Sequence, residues 1–237
     1  MLLYMIRHGA PDYKTDTLLE DGWKQAWAAA NRLRISGIDE IYASPMGRAR
    51  QTAEPLAKIL DLEVHIEPWA YELGDESKAD FPDGSRHPIS HFPVTYLMAP
   101  EFRRMTNDEV LESLPGVCES EFSRRYAEIS AGLDDLLKRL GYARNGRGFY
   151  DTVQPNGRHI ALFCHGGMMR VMLSHLFNIP YQFLGATLMT QFTGITVLHF
   201  PEDAAEVAPG LISYGDVGHL YGGAGEPQLH YMRKVLF

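Results

Sequence analysis

Two apolar runs in this chain break off in the same way, and that repetition restricts its fold more than any other feature. Leu2-Leu3-Tyr4-Met5-Ile6 has the composition of a strand covered on both faces, and it stops on Arg7-His8-Gly9. His159 to Cys164 reads as a second buried strand, and it stops on His165-Gly166-Gly167. A covered strand has no use for a cation or an imidazole in its interior. These groups therefore belong where the strand emerges, at its carboxyl end, and in an open α/β sheet that edge is where ligands bind.

The intervening patterns support such a sheet. Trp23, Ala26, Trp27, Ala30 and Leu33 recur at helical steps between Glu20 and Ile35, and Ile38 to Ala43 reads as a short strand. Ser44-Pro45 predicts a helix start, with Ser44 as N-cap, running to about Leu60. Glu63 to Ile66 is expected as a third strand, ahead of Tyr71-Glu72-Leu73-Gly74. Phe122, Tyr126, Ile129, Leu133, Leu136 and Leu140 fit a long amphipathic helix. Asn145 to Gly157 reads as a surface loop, Met168 to Phe177 as a helix, and Gly194–Phe200 and Leu211–Tyr214 as two more strands. Alternation of this kind gives an α/β fold with a mostly parallel, helix-covered sheet.

A chain of 237 residues, 45% hydrophobic and 22% charged, supports one large domain over 1–237 with an insertion. That insertion is expected at about 75–115, where five prolines, two histidines and several aromatics fill a stretch too long for a plain connection. It reads as a lid over the strand ends. A formal charge of −8 argues against nucleic acid as a partner but leaves room for a small anion held by a local group of cations. Two cysteines make no disulfide framework, the first strand follows Met1 with no signal pattern, and no apolar run reaches membrane length. A cytoplasmic protein with no membrane partner is expected, and an oligomer is compatible with the sequence.

Four strand ends supply the chemistry: Arg7 with His8, Arg48 near the start of its helix, Glu72 and His165. In a parallel sheet these lie on one edge although distant in sequence. Two arginines, two imidazoles and a carboxylate suit phosphoryl transfer, because guanidinium forks match phosphate oxygens. A neutral histidine is a competent nucleophile near pH 7, and a carboxyl group can protonate the leaving alkoxide.

The chain resembles the histidine phosphatase superfamily, which includes the cofactor-dependent phosphoglycerate mutases, in the branch with its acid in mid-chain. The resemblance rests on Arg7-His8-Gly9, then Leu18, Gly22, Gln25 and Ala26, then Ser44-Pro45-Met46-Gly47-Arg48-Ala49-Arg50-Gln51-Thr52-Ala53, and finally His165-Gly166-Gly167 with Arg170, in family order. It implies a three-layer α/β/α sandwich and a phosphomonoester hydrolase that needs no cofactor or metal. His8 would become phosphohistidine; Arg7, Arg48, His165 and Gly166 would hold the phosphoryl group; Glu72 would serve as acid and then base, with Asp75 and Glu76 as rivals. A small phosphorylated metabolite or inorganic phosphate is the implied partner. Phosphoglycerate mutase-type transfer, and a phospho-ligand binding protein with weakened catalysis, are the alternatives.

The sequence also departs from the family. Where many relatives carry a threonine and an asparagine after Arg-His-Gly, this chain has Ala10-Pro11-Asp12-Tyr13-Lys14, so Tyr13 or Thr15 is the expected replacement. Leu19 stands where a threonine usually precedes the first helix, leaving Thr17 or Asp21 as caps. Glu119-Ser120 loosely resembles a family segment beside the substrate pocket. Arg50 and Arg170 are assigned to helix faces or salt bridges, Trp23 and Trp27 to packing, and Cys164 to the core. His87 and His91 are separated by Pro88 and completed by no further ligand, so no metal site is expected there.

Overall fold

The computed structural model describes residues 1–74, 78–80, 84–88, 99–114, 117–118 and 120–221. In chain order, β1 (Leu2–Arg7) leads through a small hairpin, β2 (Pro11–Asp12) and β3 (Thr17–Leu18), into α1 (Glu20–Leu33). Then come β4 (Glu40–Ala43), α2 (Gly47–Leu60) and β5 (Val64–Ile66). The insertion contributes a second hairpin, β6 (Lys78–Asp80) with β7 (Arg86–Pro88), and the short helix α3 (Asn107–Ser113). After α4 (Phe122–Arg139) come β8 (Tyr142–Arg144), β9 (Tyr150–Thr152), β10 (His159–Cys164), α5 (Gly166–Phe177) and α6 (Tyr181–Thr187). The described residues end with β11 (Ile195–His199), β12 (Glu206–Val207), β13 (Gly210–Asp216) and a 3-10 turn over Gly218–Leu220.

Six strands form the central sheet in the order β13-β11-β1-β10-β4-β5. The pairs β1–β10, β10–β4 and β4–β5 are parallel, and β11 runs against both of its neighbours. Side-chain alternation divides the core into two layers. Leu3, Met5, Ile160 and Leu162 pack with Phe122, Ile129, Leu133 and Met172 of α4 and α5 on one face. Ile6, Ala161 and Phe163 pack with Ala30, Leu33, Ala53 and Leu56 of α1 and α2 on the other. The expected three-layer α/β/α sandwich is therefore what the chain forms.

Close packing of α1 onto the β1 turn depends on two glycines. A Cβ on Gly9 would lie 2.6 Å from the Gly22 carbonyl oxygen, and one on Gly22 would lie 2.2 Å from that of Ala10. Neither contact is tolerable, so a side chain at either position would lift the helix off the turn that carries His8.

Several local expectations differ from the structure. The helix α2 begins at Gly47 with Met46 as its N-cap, and α1 begins after Leu19 with no side-chain cap from Thr17 or Asp21. Trp27 is 41% exposed and so is no core residue. The 145–157 loop includes β9, paired with β8, because Tyr150 and Tyr142 are both drawn into the core. No pattern had marked α6. Within the insertion, Thr106 and Glu109 make a reciprocal capping box that starts α3. Asp75, Glu76, Phe81, His91, Phe92, Tyr96 and Glu119 fall outside the described residues, as does the side chain of His87.

Candidate active site

The parallel ladder continues one residue beyond its strands, and this brings the site together. Arg7 pairs with Cys164, and Phe163 with Ala43. Past those pairs, the His8 amide donates to the Cys164 carbonyl at 3.0 Å and the Ser44 amide to that of Phe163 at 2.9 Å. His8, His165 and Ser44 thus leave three neighbouring strands side by side. Both imidazoles are buried, with ring centroids 5.2 Å apart.

Their hydrogen bonds orient the two rings differently. Nδ1 of His8 meets the Gly9 carbonyl oxygen at 2.8 Å. A carbonyl only accepts, so Nδ1 carries the proton and Nε2 keeps its lone pair. His165 instead uses Nε2, 2.7 Å from Ser44 Oγ. That hydroxyl also accepts from the Met46 amide at 3.2 Å. His165 Nδ1 is a buried atom with no partner among the described residues.

The turn after His8 is fastened by helix side chains. Thr52 Oγ1 accepts from the Gly9 amide at 3.0 Å, and Gln25 Oε1 from that of Ala10 at 2.8 Å. Gln25 and Thr52 both stand in the motif blocks that carry the family resemblance, but pattern alone did not reveal their task.

Arg7 and Arg48 flank His8. Arg7 donates to the Thr190 carbonyl at 2.5 Å, and its guanidinium lies 4.5 Å from the Phe192 ring centre. Arg48, the second residue of α2, pairs with Asp16. In both arginines Nε is buried with no partner among the described residues. Glu72 approaches from the segment after β5 and meets the start of α5. Its Oε1 accepts from the amides of Met168 at 2.8 Å and Leu73 at 2.9 Å, and its Oε2 from Gly167 at 3.1 Å.

A cavity of about 120 Å3 is lined by His8, Arg7, Arg48, Glu72, Tyr13 and Gly166, together with Leu73, Gly167, Arg170, Met189 and Thr190. His165 is not among the lining residues; it is fully buried, with its ring beside that of His8. Arg170 is a correction: it is not a helix-face residue but a buried one, with Nε on the Gly166 carbonyl at 3.2 Å and a guanidinium nitrogen on that of Gly185 at 2.8 Å. Helical periodicity placed it, and periodicity does not see a cavity at a helix start. Ser120 is also corrected. Its hydroxyl bonds the Val117 carbonyl and the Phe122 amide at the start of α4 and does not line the cavity.

Two further residues act on the site from behind. Ser44, read as a helix cap, is instead the partner of His165. Arg125, fully buried on α4, donates to the carbonyls of Trp69 and Tyr71 and lies 3.4 Å from the Tyr71 ring centre, so it holds the segment that delivers Glu72. Nothing in the amphipathic pattern of α4 marked that arginine.

Burial is the main cause of the electrostatics here. It holds the His8 imidazole well below its usual pKa, with His165, Arg7 and Arg48 adding to the effect and the Gly9 bond opposing it. His165 is lowered in the same sense, first by burial, then by Arg48, Arg7 and Arg125. Both rings are therefore neutral at pH 7. Burial pushes the Cys164 thiol in the opposite direction, far above its usual range, which fits a core residue.

The family model of the histidine phosphatase superfamily, branch 1, matches residues 3–75 and 101–208. The chain belongs to this superfamily. The superfamily match passes over the middle of the insertion and covers every strand end described above. A probable phosphoglycerate mutase GpmB of Enterobacter sp. (strain 638) is 22% identical over 236 residues, 92% of this chain and 94% of that one. Its counterpart in Photorhabdus laumondii is 34% identical over 80 residues, so this chain spans only 37% of that relative's length. Among solved structures, phosphoserine phosphatase of Entamoeba histolytica in complex with 3-phosphoglyceric acid matches with a TM-score of 0.60. It is 23% identical, and the match covers 92% of this chain and 98% of that one. A mycobacterial glucosyl-3-phosphoglycerate phosphatase matches at 0.59 and 23% identity, over 90% and 98%. These likenesses show a common fold. Among the described residues, no group of three or more His, Cys, Asp or Glu is placed to hold a metal ion, and no helix is long and apolar enough to cross a membrane.

Proposed function

We propose that this protein is a phosphomonoesterase that works through a phosphohistidine on His8, without metal or cofactor, on a small phosphorylated metabolite of the cytoplasm. One observation carries the reading: His8 offers an unprotonated Nε2 in a small cavity flanked by Arg7 and Arg48, whose buried Nε–H groups meet no protein acceptor among the described residues. A tetrahedral anion satisfies those donors, and phosphoryl transfer needs little beyond such positioning and charge.

In the proposed reaction, His8 Nε2 attacks phosphorus as the bond to the leaving oxygen breaks. Arg7, Arg48 and His165 hold the equatorial oxygens. Glu72 delivers a proton to the leaving oxygen and then takes one from the water that displaces histidine, which returns both groups to their starting state. Oε2 accepts one amide where Oε1 accepts two, so it is the freer oxygen for that exchange. The 75–115 segment is proposed as a lid within a single 1–237 domain, and the choice of substrate is assigned to it.

A second reading, mutase-type transfer, is favoured by the relatives described as probable phosphoglycerate mutases. A phosphate-ester panel with chelator present decides between them, with phosphoserine and 3-phosphoglycerate included because solved relatives carry them. Release of inorganic phosphate and an acid-labile, base-stable phosphoenzyme that disappears in His8→Ala are expected. Isomerisation of 3-phosphoglycerate stimulated by the bisphosphate, without net phosphate release, would establish the mutase instead. Full turnover by His8→Ala would refute both.

A further inference from the structure

The turn between β2 and β3 is where this chain departs from its family, and the structure gives that departure a use. We propose that Asp16 is the positioning residue of Arg48, and that the turn carrying it is a latch that seats Tyr13 at the mouth of the phosphate cavity. The proposal rests on the phosphatase reading and adds to it Tyr13 and Asp16, two residues outside the motif blocks that carry the family resemblance.

Asp16 divides its carboxylate between two donors on α2. Oδ2 accepts from the Gly47 amide at 2.6 Å, and Oδ1 from the Arg48 guanidinium at 2.5 Å. The contact supplies the oxygen that Ser44 was expected to give the helix, and it supplies it from 31 residues away. Asp16 has φ +54°, a left-handed conformation that Asp adopts more readily than most non-glycine residues. Its own carbonyl seats on Gly47 so closely that a Cβ there would lie 2.3 Å from the oxygen. Gly47 is thus the socket of the latch.

The two ends of the strap are fastened independently. Pro11 pairs with Leu18, the Ala10 amide binds Gln25, and the Leu18 amide donates to Gln51 Oε1 at 2.6 Å. Only the middle depends on Asp16. That middle holds Tyr13, whose ring centre lies 5.5 Å from the Arg48 guanidinium and 6.4 Å, edge-on, from the His8 ring. Tyr13 is 64% exposed, an unusual state for a tyrosine touching two buried site residues. It is placed to meet the organic part of a substrate whose phosphate lies against His8.

The geometry favours positioning over competition. Asp16 does not line the cavity, and its side chain is 37% exposed on the outer side of Arg48, whereas Arg48 is 6% exposed. The carboxylate holds Nη1, Nη2 lies 3.3 Å from Met46 Sδ, and the buried Nε meets no partner among the described residues. A guanidinium fixed at one end presents its remaining donors in a set orientation, so less ordering is required when phosphate arrives.

The experiment compares Asp16→Ala, Asp16→Asn, Gly47→Ala and Tyr13→Ala with the wild-type full chain. It reads kcat and KM on p-nitrophenyl phosphate, Kd for inorganic phosphate by calorimetry, and the melting temperature. Asp16→Ala is expected to weaken inorganic phosphate about tenfold and lower kcat/KM about 30-fold, in keeping with the cost of a misplaced binding group, while melting changes little. Asp16→Asn keeps an acceptor for the Gly47 amide and should recover part of the loss; Gly47→Ala, built to unseat the same latch, should reproduce it. Tyr13→Ala should raise KM while leaving phosphate affinity within twofold. Tighter phosphate binding by Asp16→Asn or Asp16→Ala would overturn the proposal, since the carboxylate would then be a competitor. Unchanged phosphate affinity and kcat/KM in both would overturn it as well. Phosphate affinity is measurable whether or not a phosphoenzyme forms, so failure of the latch and failure of the phosphatase reading are separable.

Discussion

His8 and His165 end adjacent parallel strands, are both buried and are both held neutral, yet they present opposite nitrogens. His8 has Nδ1 fixed by a main-chain carbonyl one residue away, an acceptor that forces the proton onto that nitrogen. His165 has Nε2 fixed by a side-chain hydroxyl on the next strand over. The first arrangement makes a base with a lone pair free to attack. The second, where the Ser44 hydroxyl donates to Nε2, puts the ring proton on Nδ1 and makes a donor, which is the form the proposed reaction uses. One sheet edge therefore presents two rings of the same residue type by opposite nitrogens, which suits the proposed nucleophile and the proposed charge-stabilising group, and the hydrogen bond each ring makes is the difference between them.

The largest expected effects test that division. His8→Ala should lower kcat/KM by about 10⁴-fold or more, because it removes the proposed nucleophile. His165→Ala should lower it by about 10²–10³-fold while the phosphoenzyme still forms, since a stabilising donor is lost and not the nucleophile. Rapid-quench labelling distinguishes the two, and equal loss of labelling in both variants would end the assignment of different roles. Glu72→Gln comes next, at about 10²–10⁴-fold for an alkyl phosphate. With p-nitrophenyl phosphate, whose leaving group needs no proton, the same variant should lose far less in the phosphorylation step. A uniform loss across leaving groups would remove Glu72 as the acid.

What was legible in the sequence followed from the same contrast between short-range and long-range causes. An imidazole stopping an apolar strand is visible in one dimension, so His8, Arg7 and His165 and the layered fold could be read directly. Ser44 could not. Its place before Pro45 is good helix-start chemistry, but Asp16 takes the Gly47 amide from another part of the chain, and the serine hydroxyl lies on the Met46 amide and on His165. Arg125 and Arg170 were hidden for a related reason. Each sits on a helix whose apolar pattern is clear, and only the assembled fold shows that their positions face main-chain carbonyls and, for Arg170, the cavity. Trp27 failed in the opposite sense, since a large apolar residue in register with a helix face still lies partly in solvent.

Ser44→Ala gives a smaller and more specific effect. Without the hydroxyl, His165 Nε2 becomes a buried polar atom with no partner, which should cost about 1–3 kcal/mol of stability. Activity should fall about tenfold through kcat, because the ring then loses the bond that sets its tautomer. Ser44→Thr keeps the hydroxyl and should restore the tautomer if the β-methyl is accommodated. Nitrogen-15 shifts of the His165 ring read this directly: wild type should show the Nδ1–H form, and the alanine variant a mixture. An Nε2–H form in the wild type would mean that Ser44 accepts from the ring and that His165 offers no donor to phosphate.

The smallest effect is in the pH dependence of stability, where the two histidines should behave alike. Each is held neutral in the folded protein with its pKa below the usual value, while in the unfolded chain it titrates near 6.5. As pH falls below about 6.5, the unfolded state takes up protons that the folded state refuses, so stability declines by at most about 1.4 kcal/mol per pH unit for each such group. His219, lowered to about 4 by burial and Arg32, adds a third contribution of the same sign that is independent of the site. Urea midpoints measured from pH 7 to pH 5 should therefore slope downward on acidification, and His8→Ala and His165→Ala should each flatten that slope by a comparable amount. Activity should follow a related course, persisting below pH 6.5 because His8 stays unprotonated there, then falling as it charges. If the two variants left the stability slope unchanged, burial would not be what holds these rings neutral, and the difference between them would have to arise from their hydrogen bonds alone.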